Sequence, residues 1–113
     1  MNLRDQILAV PDLPAEHISV PEWPGVEVFQ RRLSHDEAAA FVDFVNSDGV
    51  TESSLMLELV QKTVCDADGN LAFAPEDMPA VAKKSNAAIK RLFENAKRMN
   101  RVGPEAEKEI EGN

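Results

Sequence analysis

The chain has 113 residues, enough for one compact domain with a single core and too few for two. Hydrophobic residues make up 43% of it, yet Tyr is absent and Trp occurs once, so aliphatic packing between helices is expected to dominate. A net charge of -8 argues against general nucleic-acid binding, and a single cysteine, Cys65, excludes an internal disulfide. The apolar stretches fall short of the roughly 20 residues a membrane span needs.

In chain order, Leu3, Ile7 and Val10 recur at spacings of four and three, which predicts a short amphipathic helix ended by Pro11. Residues 1–10 carry Arg4 and Asp5 and form no apolar signal core, so a cytoplasmic location is expected. Residues 12–16 read as a connector. A strand is expected over residues 18–23, a type II turn at Pro24-Gly25, and a second strand over residues 26–33, together forming a hairpin. Pro21 puts the first strand at a sheet edge.

The sequence Ser34-His35-Asp36-Glu37 has the form of a capping box, so a helix should start there, with Ala38, Phe41, Val42 and Val45 at helical spacing. Residues 46–49, ending in Gly49, stop it. A second helix recaps on Thr51 or Ser53 and carries Leu55, Met56, Leu59, Val60 and Val64. Its apolar circumference places it centrally, although residues 57–65 also suit a strand by propensity. Asp66 to Asn70 is a turn across which residues 71–73 can pair with residues 63–65 as a second, short hairpin. A brief helix begins near Asp77. Ser85 caps the last long helix, whose apolar arc is Ala88, Ile89, Leu92, Phe93, Ala96 and Met99. Gly103-Pro104 ends the domain (residues 1–102) and leaves an acidic tail over residues 103–113, either a short helix or disordered. The expected fold is therefore mainly α: a small helical domain with an N-terminal β-hairpin.

Charge is unevenly spread. Lys83, Lys84, Lys90, Arg91, Lys97, Arg98 and Arg101 are seven of the twelve basic residues, interrupted by one acid, Glu94. The pairs at 83/84, 90/91 and 97/98 recur every seven residues, opposite the apolar arc. A solvated face explains such a stripe, and so does contact with an acidic protein surface or self-association. Interleaved aromatics for a nucleic-acid groove are missing.

Signals for chemistry are weak. In Asp66-Ala67-Asp68-Gly69-Asn70 the glycine is fourth and the twelfth residue is Asp77, not the sixth-position glycine and twelfth-position glutamate of a calcium loop. No metal, cofactor or catalytic residue is expected. Cys65 with His17 or His35 lacks any nucleophile elbow.

Several stretches in order resemble the tail assembly chaperones of siphophages and prophages. These are residues 1–8, then Val20-Pro21-Glu22-Trp23 with Val26-Glu27-Val28 and Arg32-Leu33-Ser34, then residues 64–73 with their D-x-D-G-N-x-x-F pattern. Lys84-Ser85, Arg91-Leu92-Phe93-Glu94 and Met99-Asn100 complete the set. The resemblance implies a protein without catalytic activity that works in the bacterial host cytoplasm and is absent from the mature virion. It also implies binding to the tape measure protein, which is kept soluble while tail tube subunits are recruited. Residues expected to contact partners are Leu3, Ile7, Trp23 and Phe29 at the amino-terminal end, or Lys90, Arg91, Lys97 and Arg98 on the basic face. The alternative reading is a small cytoplasmic regulator or adaptor that binds an acidic protein or a nucleic acid.

Overall fold

A computed structural model describes residues 2–100; the expected acidic tail and Arg101 lie outside them. Among the described residues are five α-helices: α1 (Leu3–Ala9), α2 (His35–Val45), α3 (Glu52–Thr63), α4 (Met78–Val81) and α5 (Asn86–Asn100). Three short strands, β1 (Glu16–Ile18), β2 (Val28–Gln30) and β3 (Val64–Cys65), form one antiparallel sheet in the order β1-β2-β3. The fold is helix-dominated, as expected, but mixed: the expected hairpin is part of a three-stranded sheet. The added strand is β3. Val64 leaves the helical region at φ -68, ψ 128, so the chain passes from α3 directly into a strand. Phe29 then lies opposite Cys65 and Gln30 opposite Val64. The helix and strand readings of residues 57–65 each hold for part of that stretch.

The strands are shorter than expected, and β1 lies earlier. Residues 20–23 turn instead of extending, with the Trp23 amide donating to the Val20 carbonyl at 3.0 Å. A second turn follows immediately: the Val26 amide donates to the Trp23 carbonyl at 3.2 Å across Pro24-Gly25, and Gly25 has φ +81. That positive φ at the third position is what a type II turn requires of glycine. Two turns in succession leave β1 only residues 16–18, where His17 lies opposite Phe29.

Helix starts follow local chemistry closely. The Ser34 hydroxyl accepts from the Glu37 amide at 3.2 Å, and the Glu37 carboxylate accepts from the Ser34 amide at 2.9 Å, a complete capping box for α2. Thr51 and Ser54 do the same for α3. Ser85 Oγ accepts from the Ala88 amide at 3.3 Å at the start of α5. Pro75 opens a 3-10 turn (Pro75–Asp77) before α4 begins at Met78. Pro79 thus falls in the first turn of α4, where a missing N–H costs nothing, so the proline does not break it.

The core is the α3–α5 seam. Leu59 and Val60 from α3 and Ala88, Leu92 and Ala96 from α5 have 0% exposure, and all six residues of the expected α5 arc are buried. The α2 face is buried only at Phe41; Val42 and Val45 remain exposed. Two polar residues, Gln30 and Thr63, are also fully buried. Gln30 Nε2 donates to Thr63 Oγ1 at 3.1 Å and to the Leu92 carbonyl at 2.9 Å, while its Oε1 accepts from Asn95 Nδ2 at 2.9 Å. The central strand is thereby tied to both core helices, with every hydrogen-bonding atom of the amide used.

Candidate protein-binding surface

The α1 helix forms because Asn2 caps it, its side-chain oxygen accepting from the Asp5 amide at 2.9 Å, and because residues 3–9 contain neither Gly nor Pro. It buries no residue. Leu3, Ile7, Leu8 and Val10 are 69%, 59%, 70% and 56% exposed. Single exposed aliphatics are ordinary, but four within eight residues form an apolar ridge of the kind that marks a protein contact.

A second apolar surface lies elsewhere on the chain. An open groove of about 620 Å³ is walled by Trp23, Val26 and Val28 from the hairpin, by Val64, Cys65, Ala72 and Phe73 from the β3 turn, and by Ala80 and Val81 from α4. Glu27, Asp77 and Lys84 stand at its edge. Trp23 was expected at a contact surface and is found here. Val26, Phe73 and Val81 were not expected, because three segments distant in sequence come together only in the fold. Val26 is 60% exposed beside the Pro24-Gly25 turn, and no local sequence signal marks it as a wall of this groove.

Phe29 does not join the groove; its ring meets the His17 ring edge-on at 5.3 Å. His17 Nε2 in turn lies 2.8 Å from a Glu27 carboxylate oxygen. The amino-terminal candidates are therefore divided among three places: Leu3 and Ile7 on α1, Trp23 in the groove, and Phe29 on the outer sheet face.

Half of the described basic stripe, Arg91, Lys97 and Arg98, is engaged within the chain. Arg91 donates to both oxygens of Glu22 at 3.1 and 3.0 Å, and this contact holds the Glu22 carboxyl below its ordinary pKa. Arg98 donates to Glu16 at 2.9 Å and to Asn95 at 2.8 and 3.1 Å. Lys97 sits 3.2 Å from Glu94 and 4.9 Å above the centre of the Phe93 ring. Two of the arginines thus pin the hairpin to α5 and explain part of the seven-residue repeat as structure. Lys90 is exposed.

Cys65 is 3% exposed, and burial raises its thiol pKa, the opposite of the shift that activates a cysteine nucleophile. The Asp66 carboxylate is occupied by its own turn, accepting from the Asn70 amide at 3.0 Å and the Asp68 amide at 2.9 Å, which lowers its pKa. Gly69 has φ +86, and the Ala72 amide donates to the Val64 carbonyl at 2.9 Å, completing the expected short hairpin. Among the described residues no helix is long and apolar enough to cross a membrane.

The chain is similar in structure to the tail assembly chaperone of bacteriophage HK97, with a TM-score of 0.61 and 20% sequence identity, over 88% of this chain and 95% of that one. The two chains share a fold. No protein-family model matches the sequence, and no curated protein matches it. At this identity the likeness speaks for the arrangement of elements alone.

Proposed function

We propose that this chain is a phage tail assembly chaperone that binds the tape measure protein, keeps it soluble and helps recruit tail tube subunits around it. The observation that carries the reading is the fold shared with the HK97 tail assembly chaperone along nearly the whole length of both chains. The surface supports it independently. A chaperone for a long amphipathic client needs exposed apolar area on a stable scaffold, and the α1 ridge supplies it beside a well-packed α3–α5 core. The client-binding surface is α1, not the basic stripe, because Arg91 and Arg98 are held by Glu22 and Glu16. The protein has no catalytic role in this reading and works in the host cytoplasm before the virion is complete.

The test is co-expression with the tape measure protein of the same genome, comparing the intact chain with a chain carrying Leu3→Asp and Ile7→Asp. Soluble tape measure protein with the intact chain and precipitate with the variant is the expected result. Equal solubility with both would remove α1 from the interface.

A further inference from the structure

The basic stripe divides into two halves that the fold treats differently. Arg91, Lys97 and Arg98 are engaged by acids of the same chain, whereas Lys83, Lys84 and Lys90 are exposed and form no ion pair or side-chain hydrogen bond among the described residues. Lys84 lines the apolar groove between the hairpin and α4. The other two charges at that groove already have partners: Glu27 lies 2.8 Å from His17 Nε2, and Asp77 accepts from the Ala74 amide at 2.8 Å. The unmatched charge is therefore positive. We propose that this groove is a docking site for an amphipathic helix of another protein, with aliphatic side chains set between Trp23, Val26, Phe73 and Val81 and a carboxylate on its flank reaching Lys84. This contact goes beyond the client-binding reading and is separate from it, since no residue of α1 lines the groove.

The walls select a helix over an extended peptide. Of the strands in them, β2 is paired with β1 and β3, and β3 is paired with β2 on one side and with residues 71–72 on the other, through the Cys65–Leu71 bridge and the Ala72 amide. A strand laid in the groove finds no open edge there and leaves its amides against apolar walls, whereas a helix satisfies its own backbone. The walls are also held in place. Arg91 grips the Glu22 carboxylate beside Trp23, and the Phe73 carbonyl accepts from Gln61 Nε2 at 2.8 Å. Trp23 and Phe73 are half-buried, so the groove presents two aromatic anchors that binding does not have to order. Lys84 then decides the sign of the partner: a carboxylate set against it gains an ion pair, and an ammonium meets repulsion.

Trp23 is the sole tryptophan and lines the groove, so its emission reports occupancy directly. Two synthetic peptides of about 16 residues, with the same leucines at i, i+3, i+4 and i+7 and either Glu or Lys at every charged position, are titrated into the full-length chain. Salt is held at about 0.15 M, which screens the chain's overall negative charge beyond roughly 8 Å. The Glu peptide should bind saturably and shift Trp23 emission to the blue, and the Lys peptide should not. Lys84→Glu should weaken binding of the Glu peptide about fivefold, the lost attraction and the new repulsion together, with unchanged far-ultraviolet circular dichroism. Lys62→Glu makes the same change of charge at a lysine outside the groove and should leave binding unchanged. Val26→Asp, at an exposed position in the wall, should abolish it. Equal binding of the two peptides, or an unchanged affinity in Lys84→Glu, would overturn the acidic partner. No response of Trp23 to either peptide up to about millimolar concentration, or binding that survives Val26→Asp, would overturn the docking site. No client enters these measurements, so their failure leaves the chaperone reading standing, and a failed co-expression leaves the docking site standing.

Discussion

Arg31 and Glu37 meet as a two-pronged ion pair, Nη1 to Oε1 at 2.9 Å and Nη2 to Oε2 at 3.0 Å, with only 13% and 25% of the two side chains exposed. The same Glu37 closes the capping box with Ser34. One carboxylate therefore joins the end of β2 to the start of α2.

Acid sensitivity follows from that pair. The Arg31 guanidinium, with help from Ser34, lowers the Glu37 carboxyl from 4.5 to about 2. A carboxyl with a depressed folded value binds fewer protons when folded than when unfolded. Its stabilisation is therefore complete above about pH 4.5 and is lost as pH falls towards 2. Glu37→Gln should keep the cap, which glutamine also forms, while costing about 1–3 kcal/mol at pH 7 and flattening stability between pH 4.5 and 2. Urea denaturation across that range checks it; an unchanged pH slope would show that the pair does not act on stability.

Gln30 yields the sharpest packing prediction. In Gln30→Glu an oxygen replaces the Nε2 that donates to Thr63 and to the Leu92 carbonyl, placing a carboxylate among acceptors in a site with 0% exposure. A loss of about 3–5 kcal/mol is expected, and Gln30→Met should cost less because it buries no charge. Equal losses in urea denaturation would argue that Gln30 fills space and nothing more.

The hydrogen bonds of Gln30 also mark where reading the sequence stopped. The capping box at Ser34, a helix start at Thr51 or Ser53, the glycine turns at Gly25 and Gly69, and the α5 arc were legible because each is decided by residues within a few positions of one another. Gln30 sits between Phe29 and Arg31 with no local sign that its amide reaches Leu92, sixty-two positions away. The pairing of β3 with β2 was likewise hidden: residues 63–65 were legible as one arm of a short hairpin with residues 71–73, but nothing local marks Phe29 and Gln30 as their neighbours on the other side. Of the surface, the α1 ridge was legible from the spacing of Leu3, Ile7 and Val10. The groove was not, because its walls come from three separate segments.

On the charged face, Arg91→Glu should lower stability only slightly, as befits an exposed pair. Adding Glu22→Arg should recover most of that loss by restoring opposite charges, as a double-mutant cycle in thermal denaturation would show. Tape measure solubilisation should be unaffected in both variants. Loss of that activity in the doubly exchanged protein would place the basic stripe in the interface after all.

Substitutions on α1 should separate folding from function. Leu3→Ser and Leu8→Ser alter side chains already 69% and 70% exposed, so stability should change by less than about 0.5 kcal/mol. Client binding should fall together with the apolar area removed. A large drop in melting temperature would mean that α1 is already packed against the domain.

The most direct measurement is the amount of soluble tape measure protein recovered, with and without this chain, when both are expressed together and the chain is purified by a tag. The account predicts soluble tape measure protein that co-purifies with the intact chain and is lost with Leu3→Asp and Ile7→Asp. Tape measure protein that stays insoluble beside a folded, abundant chain, with nothing co-purifying, would contradict it.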